Sequence, residues 1–405
     1  LHNVLAPRPW WRAAGALPAF MASLVEGDLG QLRPGRAPGK IAIDSDLAAD
    51  LGADSLELMA LTAAVADVLQ LPQAAMLDGL LADTRLAAWT ETVRQALETA
   101  RPEALCFRTS GSAGRPKPCR HAVANLWQEV EQLAALLPDT HRIVSLVPAH
   151  HIYGFLFTVL LPQALGGLAV LDARGRVAAG VWQDVRAGDL VIGFPDAWQA
   201  ALAGSAPVPA GVIGVTSTAP CPEALADSLA QRGLARLLQV YGSSETAGVG
   251  WRDRASASYR SFPYWQRVLE NEAVLARVQP DGSRQLYPLQ DRLVWQDEGH
   301  FLPAGRIDAA VQVGGVNVFP ERVAAALRAH PLVQDAAVRL MRPDEGARLK
   351  AFIVPVAGAP ANLLAALDAH ARSQLSSAER PAAYNLGAAL PRQRNGKPAD
   401  WMVEE

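Results

Sequence analysis

The stretch TSGSAGRPK, residues 109–117, sets Thr109, Ser110, Gly111, Ser112, Gly114 and Lys117 directly after the apolar run ALCF. Glycine reaches backbone conformations that L-residues avoid, so successive N–H groups can turn toward one point. A nest of that kind holds an anion, most often phosphate; hydroxyls add donors and a lysine adds a point charge. Taken by composition alone, the stretch reads equally well as a Gly/Ser hairpin loop with a surface lysine. The G-x-x-x-x-G-K-[ST] spacing of a Walker loop is absent. The surrounding elements have to decide between these readings.

A chain of 405 residues suggests about two to four domains. Half of it is hydrophobic and 19% is charged, an ordinary globular composition, and a net charge of −3 gives no reason to expect nucleic acid. The charge is unevenly spread. Between Asp44 and Ala100 stand ten acids against Arg85 and Arg94, so an acidic segment adjoins a mildly basic remainder. That asymmetry favours docking between the two parts or with a basic partner. Cys106, Cys119 and Cys221 have no metal-ligand spacing and imply no disulfide, so a reducing cytoplasm is the expected compartment. No apolar run reaches membrane-spanning length, and no charged-then-apolar leader opens the chain. It starts at Leu1 rather than Met, as it would if upstream residues had been removed.

Residues 17–100 read as helical. LPAFMASLVEG forms a short amphipathic helix, followed by the loop GQLRPGRAPGK. In DSLELMALTAAVADVLQL, Leu56, Met59, Leu61, Val65, Val68 and Leu69 fall near helical spacing, with Asp54 or Ser55 able to cap. LADTRLAAWTETVRQALE supplies a last helix, and together these predict a small bundle. From Ala104 the pattern changes. Short β-rich runs (RIVSLVPA, GLAVLDA, DLVIGFP, GVIGVTST, RLLQVYG) alternate with helical ones, which predicts an α/β layer with largely parallel strands. Beyond Gly305 the runs DAAVQVGGVNVFP, ERVAAALRAHP, VQDAAVRLM and LKAFIVPVAG predict a compact α+β unit.

In order along the chain, TSGSAGRPK is followed by PAHHIYGF, STAPCPEAL, YGSSETAG, GRIDAAVQVGGVNVFPERV and LPRQRNGK. From about residue 104 to 400 the chain thereby resembles the adenylate-forming superfamily: acyl- and aryl-CoA synthetases, peptide-synthetase adenylation domains and luciferases. The resemblance implies an ATP-dependent, AMP-forming ligase that activates a carboxylic acid and transfers it to a thiol. It assigns Thr109, Ser110, Gly111, Ser112, Gly114 and Lys117 to the ATP phosphates, Tyr241 to adenine and Ser244 to phosphate. Glu245 would hold Mg²⁺, a hard cation suited to carboxylate and phosphate oxygens. Asp291 would receive the ribose hydroxyls, and Arg306 would also meet the nucleotide. Lys397 would bridge the substrate carboxylate and the α-phosphate, where negative charge accumulates. Asp308 would be a hinge and Gly315 would approach the pantetheine channel. His151, Tyr153, Trp198, Thr216 and Gly250 are the candidates for the acyl pocket, and their mix of aromatic and small residues suggests an aryl or medium-length acyl group. His150 reads as a surface residue.

The front end resembles an acyl carrier protein through SDLAADLGADSLELMAL, with Ser55 at the position that receives phosphopantetheine. A carrier in the same chain favours a carrier-protein acceptor, Ser55 itself among them, over free CoA. It would also imply a phosphopantetheinyl transferase and fatty-acid or polyketide assembly-line enzymes as partners. The tether from Ala100 to Leu105 spans at most roughly 17 Å, which favours loading between chains, within a dimer or on collision. The resulting layout is α/β multidomain: a leader over 1–16, a four-helix carrier-like domain over 17–100, a shortened α/β adenylation core over 104–304, and a mobile α+β lid over 305–405. Departures from the superfamily pattern are Ala113 for Thr, Pro118 for Gly, Gln312 for Lys, Arg322 for Glu, and the short front. They keep open a catalytically impaired scaffold that binds nucleotide or presents a carrier.

Overall fold

The computed structural model describes residues 9–33, 39–109, 117–175, 180–307, 310–360, 362–392 and 399–403. The chain divides into two compact units: among the described residues the first runs to Thr109 and from Pro118 to Ala304, and the second holds Lys117 and the residues from Gly305 on.

The first unit starts with α1 (Ala16–Leu32), α2 (Ser55–Leu69), α3 (Gln73–Ala82) and α4 (Leu86–Ala100). Helix α2 begins where it does because Asp54 accepts from the backbone N–H groups of Leu56 and Glu57, while Glu57 accepts from the Asp54 N–H. That reciprocal capping box satisfies donors the helix itself cannot. Leu58, Leu61, Thr62, Val65 and Leu69 make its buried face. Leu56 and Met59, expected on that stripe, are 75% and 48% exposed, because the face facing the core is the one that contains Leu58.

Strands β1 (Ala104–Thr109) and β2 (Lys117–Ala122) form a two-stranded ribbon leading into α5 (Val123–Leu136). Then come β3 (Arg142–Ser145), α6 (Ile152–Phe155), a π-helical turn over Leu156–Leu160, α7 (Leu161–Ala164) and β4 (Val170–Asp172). Next are α8 (Val181–Asp184), β5 (Asp189–Gly193), α9 (Pro195–Leu202), β6 (Ile213–Thr216), α10 (Glu223–Gln231) and β7 (Arg236–Ser243). The unit continues with β8 (Ala247–Arg252), β9 (Tyr259–Ser261), β10 (Trp265–Arg267), β11 (Val274–Val278), β12 (Arg284–Pro288), β13 (Asp291–Trp295) and β14 (His300–Arg306).

A nine-stranded sheet runs β13-β14-β9-β8-β7-β6-β5-β3-β4, and its half from β4 to β7 is parallel. Parallel strands covered on both faces read as continuous apolar runs, which is how the sequence betrays them. Ile143, Leu190, Ile192, Val215 and Leu238 look into one core; Val144, Val191, Val212 and Leu237 look into another, with Trp182 and Trp198.

The first of these cores is continuous with the helical segment. Leu17, Phe20, Leu24, Leu61, Val65 and Trp89 share it with Phe155, Leu190 and Ile192. Trp10, from the stretch expected to be a leader, is fully buried, its ring 5.5 Å from Phe20 and 5.1 Å from Phe155. A free-standing carrier bundle over 17–100 is therefore not supported. The helices pack against the sheet and share its core.

The second unit holds a two-stranded hairpin, β15 (Val311–Val313) and β16 (Val316–Val318), then α11 (Pro320–Arg328). The hairpin turns through Gly314 and Gly315, both at positive φ (56° and 78°), as a tight two-residue loop demands. Strands β17 (Val333–Leu340), β18 (Leu349–Pro355) and, after α12 (Leu363–Gln374), β19 (Ala383–Leu386) form a three-stranded sheet under the two helices.

Candidate active site

Within the first unit, β7 and β8 make an antiparallel hairpin in which Tyr241 faces Gly250, and the register shifts between Tyr241 and Gly242. The turn between the strands is held by its own side chains. The Thr246 hydroxyl accepts from the Ser243 N–H at 3.1 Å, and the Ser243 hydroxyl lies 3.2 Å from the N–H groups of Glu245 and Thr246. Gly242 is required here, since a Cβ would strike the Ala247 carbonyl. From β2, His121 bonds the Ser244 carbonyl oxygen through Nε2 at 2.7 Å. Burial holds that imidazole down at about 4, so it is neutral and its Nε2–H donates.

Tyr241 packs its ring 5.5 Å from Tyr259 and 5.4 Å from Phe301, and its hydroxyl donates to Asp291 Oδ2 at 2.7 Å. Asp291 opens β13, fifty positions further along the chain, so the sheet brings together two residues that local sequence does not connect. An aromatic face beside a carboxylate, next to a turn carrying Ser244 and Glu245, suits a purine nucleoside with its phosphates. Glu245 is half-buried on that turn, and its carboxylate is the hard oxygen donor that Mg²⁺ shared with a polyphosphate takes.

At the carboxyl ends of β5 and β6, Tyr153 from α6 lies with its hydroxyl 2.9 Å from the Gly193 carbonyl oxygen and 3.1 Å from that of Val215. Thr216, next along β6, is buried with no hydrogen-bond partner for Oγ1 among the described residues. His151 occupies the N-cap position of α6 with an accessible side chain, its ring 4.2 Å from that of His150, and desolvation by the atoms around it holds its imidazole down at about 4. Carboxyl ends of parallel strands are where open α/β sheets bind ligands.

Comparison with known proteins now decides the family. Residues 41–270 match the AMP-binding enzyme family and residues 322–397 its C-terminal domain. The chain belongs to the AMP-binding enzymes. It is 40% identical over 359 residues to a 4-coumarate–CoA ligase of Rhodobacter capsulatus, covering 87% of this chain and 90% of that one. A 4-coumarate–CoA ligase of Halorhodospira halophila is 36% identical over 385 residues, covering 93% and 97%. An amide bond synthetase from Marinactinospora thermotolerans shares the fold at 18% identity, TM-score 0.61, over 94% of this chain and 92% of that one. The chain is an AMP-forming acid ligase. The AMP-binding match begins at residue 41 and runs through α2 to α4, the segment that resembled a carrier, and nothing in the comparisons identifies a carrier domain there.

For an AMP-binding enzyme, the structure unites some of the expected residues and separates others. Tyr241, Ser244, Glu245 and Asp291 gather around the β7–β8 hairpin, and His151, Tyr153 and Thr216 around the ends of β5 and β6. Trp198 does not join the latter. It is wholly buried in the second of the two cores, where Cβ atoms at Gly193 and Gly214 would press on it at 2.9 and 3.0 Å. Gly250 is explained by packing rather than pocket volume, since its Cβ would lie 2.6 Å from the Arg260 carbonyl and 2.9 Å from Phe301. Thr109 ends β1 and Lys117 opens β2; Ser110, Gly111, Ser112 and Gly114 lie outside the described residues, as do Asp308 and Lys397.

Arg306 ends β14, and Gly315 is the second residue of the β15–β16 turn. Gln312 bonds Asn317 across that hairpin, and Arg322 pairs with Glu379, whose carboxylate also closes a capping box with Ser376. Both unusual residues thus have partners within their own unit. Lys350, wholly buried on β18, reaches Glu345 at 2.6 Å and the Trp401 carbonyl, while the Ala399 N–H donates to Pro391 at 2.9 Å. The chain on both sides of the Lys397 stretch is thereby anchored.

Sequence reasoning missed three polar residues. His150, expected on the surface, is half-buried with Nδ1 2.8 Å from the Ser23 hydroxyl of α1, and burial holds its imidazole well down. His121 and Glu129 sit behind the β7–β8 hairpin, and neither lies in a motif.

Proposed function

We propose that this chain activates an aryl carboxylic acid of the hydroxycinnamate class and delivers it to the thiol of free CoA. The observation that carries the reading is the Tyr241–Asp291 pair beside the Ser243–Thr246 turn, in a chain that matches 4-coumarate–CoA ligases over nearly its whole length. A carboxylate oxygen of the acid attacks the α-phosphorus of ATP. The new O–P bond replaces the bond to the bridging oxygen, and pyrophosphate leaves. The CoA thiol, losing its proton, then attacks the acyl carbon, and AMP leaves with the C–O electron pair.

In this reading Asp291 accepts from the ribose hydroxyls and Tyr241 lies against the base. Ser244 and the loop residues Thr109, Ser110, Gly111, Ser112, Gly114 and Lys117 donate to phosphate. Mg²⁺, held through Glu245, neutralises phosphate charge when bound. Lys397 places its cation where the carboxylate meets the α-phosphate, and the second unit turns about Asp308 between steps, bringing Gly315 toward the pantetheine arm. His151, Tyr153 and Thr216 border the acid.

ATP–pyrophosphate exchange over a panel of cinnamic, benzoic and fatty acids tests the first step, and thioester formation with CoA tests the second. Exchange strongest with hydroxylated cinnamic acids, followed by acyl-CoA release, is expected; no exchange with any acid would leave the scaffold reading.

A carrier-type acceptor at Ser55 is the second reading. Its support is local: Asp54 caps α2, Ser55 is exposed at the first helical position, and Leu56 and Met59 stand in solvent beside it. Intact mass after treatment with a phosphopantetheinyl transferase and CoA decides it, since modification would add one phosphopantetheine.

A further inference from the structure

Behind the β7–β8 hairpin lies a buried polar cluster that the proposed chemistry does not use. Glu129, on α5, is 1% exposed, and its Oε1 accepts from the Gly248 backbone N–H at 2.9 Å. The other end of the same residue is held as well. The Gly248 carbonyl accepts from the Trp265 indole N–H at 2.8 Å and from the Tyr264 hydroxyl at 3.2 Å. Arg277, wholly buried on β11, lies 4.2 Å from the Tyr264 ring centre and donates to the Asn125 carbonyl at 2.6 Å and to Gln128 Oε1 at 3.2 Å, both on α5.

This arrangement is costly. A buried carboxyl resists ionisation, and an apolar residue of similar volume would pack at lower cost. Burial, outweighing the nearby Arg277 charge and the Gly248 bond, pushes the Glu129 carboxyl up to about 7. The location accounts for its presence. Gly248 pairs with Gly242 where the hairpin register shifts, just beyond the turn that carries Ser244 and Glu245. At that shift the regular ladder no longer fixes the strand, so its backbone groups need other partners. Gly248 cannot be another residue without displacing Glu129, because a Cβ would collide with Oε1.

We propose that Glu129 is a positioning residue for the nucleotide: by holding the Gly248 N–H from behind, it sets where the Ser243–Thr246 turn presents Ser244 and Glu245 to the phosphates. This rests on the reading of that turn as the nucleotide site.

The test uses the full chain, with AMP and ATP dissociation constants from calorimetry and KM values for ATP, the aryl acid and CoA. E129A is expected to weaken ATP binding and raise the ATP KM by tenfold or more, leaving the KM values of acid and CoA within twofold. E129Q, whose amide oxygen still accepts from Gly248, should restore the ATP KM to within about threefold of the wild type. If E129A does not fold, E129D, too short to reach Gly248, carries the same expectation. An unchanged ATP affinity in E129A, an equal rise in all three KM values, or an E129Q defect as deep as that of E129A would overturn the inference. Failure of the wild type to bind any nucleotide would instead overturn the proposed function itself.

Discussion

On the nucleotide side, Tyr241 and Asp291 are joined by a hydrogen bond, and the adjoining turn is gripped by Ser243, Thr246, His121 and Glu129. On the proposed acyl side, by contrast, Tyr153 spends its hydroxyl on strand carbonyls, His150 is braced by Ser23, and the imidazoles of His150 and His151 are neutral. The proposed nucleotide side is thus prearranged by short-range polar contacts. The acyl side is shaped by packing between the helical segment and the sheet. In the proposed reading the difference separates two properties: the polar residues of the hairpin would set the chemistry, and the way α1 meets α6 would set the choice of acid.

In the proposed mechanism Lys397 serves the attack of the acid on the α-phosphate, so Lys397→Ala should have the largest effect. Loss of a cation aimed at developing charge costs on the order of 10²–10³ in rate. Adenylate formation, read by pyrophosphate exchange, should fall by that much while thioester formation from supplied acyl-adenylate is spared. Equal loss of both half-reactions would break the idea that the lysine serves one step.

Glu129→Gln sharpens the nucleotide side through stability. Because the folded state raises this carboxyl to about 7, it binds a proton that the unfolded chain releases near its ordinary value. Stability is therefore lost as pH rises between about 4.5 and 7 and is level above, by up to about 3 kcal/mol. Denaturant titrations across that range should show the decline in wild type and a shallower one in E129Q. Parallel curves would mean that Glu129 titrates normally.

Asp291→Ala should raise the ATP KM about ten- to a hundredfold, the range for a hydrogen bond to a charged group, with little change in the KM for acid. A matching rise for the acid would erase the division between the sides. Ser23→Ala is the converse test. It leaves His150 Nδ1 without its partner, worth about 1 kcal/mol, and should shift the KM for aryl acids by about fivefold while sparing ATP.

The same contrast explains what the sequence disclosed. The runs RIVSLVPA and DLVIGFP announce buried parallel strands, and YGSSETAG, through its resemblance, announces the nucleotide turn, because each needs particular residue types in contiguous order. Glu129 does not announce itself. In NLWQEVEQLAALL, Leu126, Val130 and Leu133 form the legible stripe, and Asn125 and Glu129 read as its solvent side. They are buried because β8, β10 and β11 cover a second flank of α5, a fact of tertiary packing. Trp198 is illegible for a related reason: it lies on α9, and the sheet face that helix covers is set by the crossover between β5 and β6, not by local sequence.

The smallest effect bears on the helical segment that flanks the acyl side. DSL in α2 allowed either Asp54 or Ser55 as the cap, and the structure gives the role to Asp54, which receives the N–H groups of Leu56 and Glu57. Removing such a cap costs typically about 1 kcal/mol, so Asp54→Ala should lower unfolding free energy by roughly that amount. Ser55 is already the first helical residue and exposed, and alanine is the better helix former, so Ser55→Ala should stay within about 0.5 kcal/mol. If free CoA is the acceptor, Ser55→Ala should also leave acyl-CoA formation unchanged. A Ser55 variant that loses only the ability to become acylated, while CoA thioester formation persists, would instead make this segment a second acceptor. In that event the exposed pair Leu56 and Met59 would mark a docking face and not merely the outer side of a packed helix.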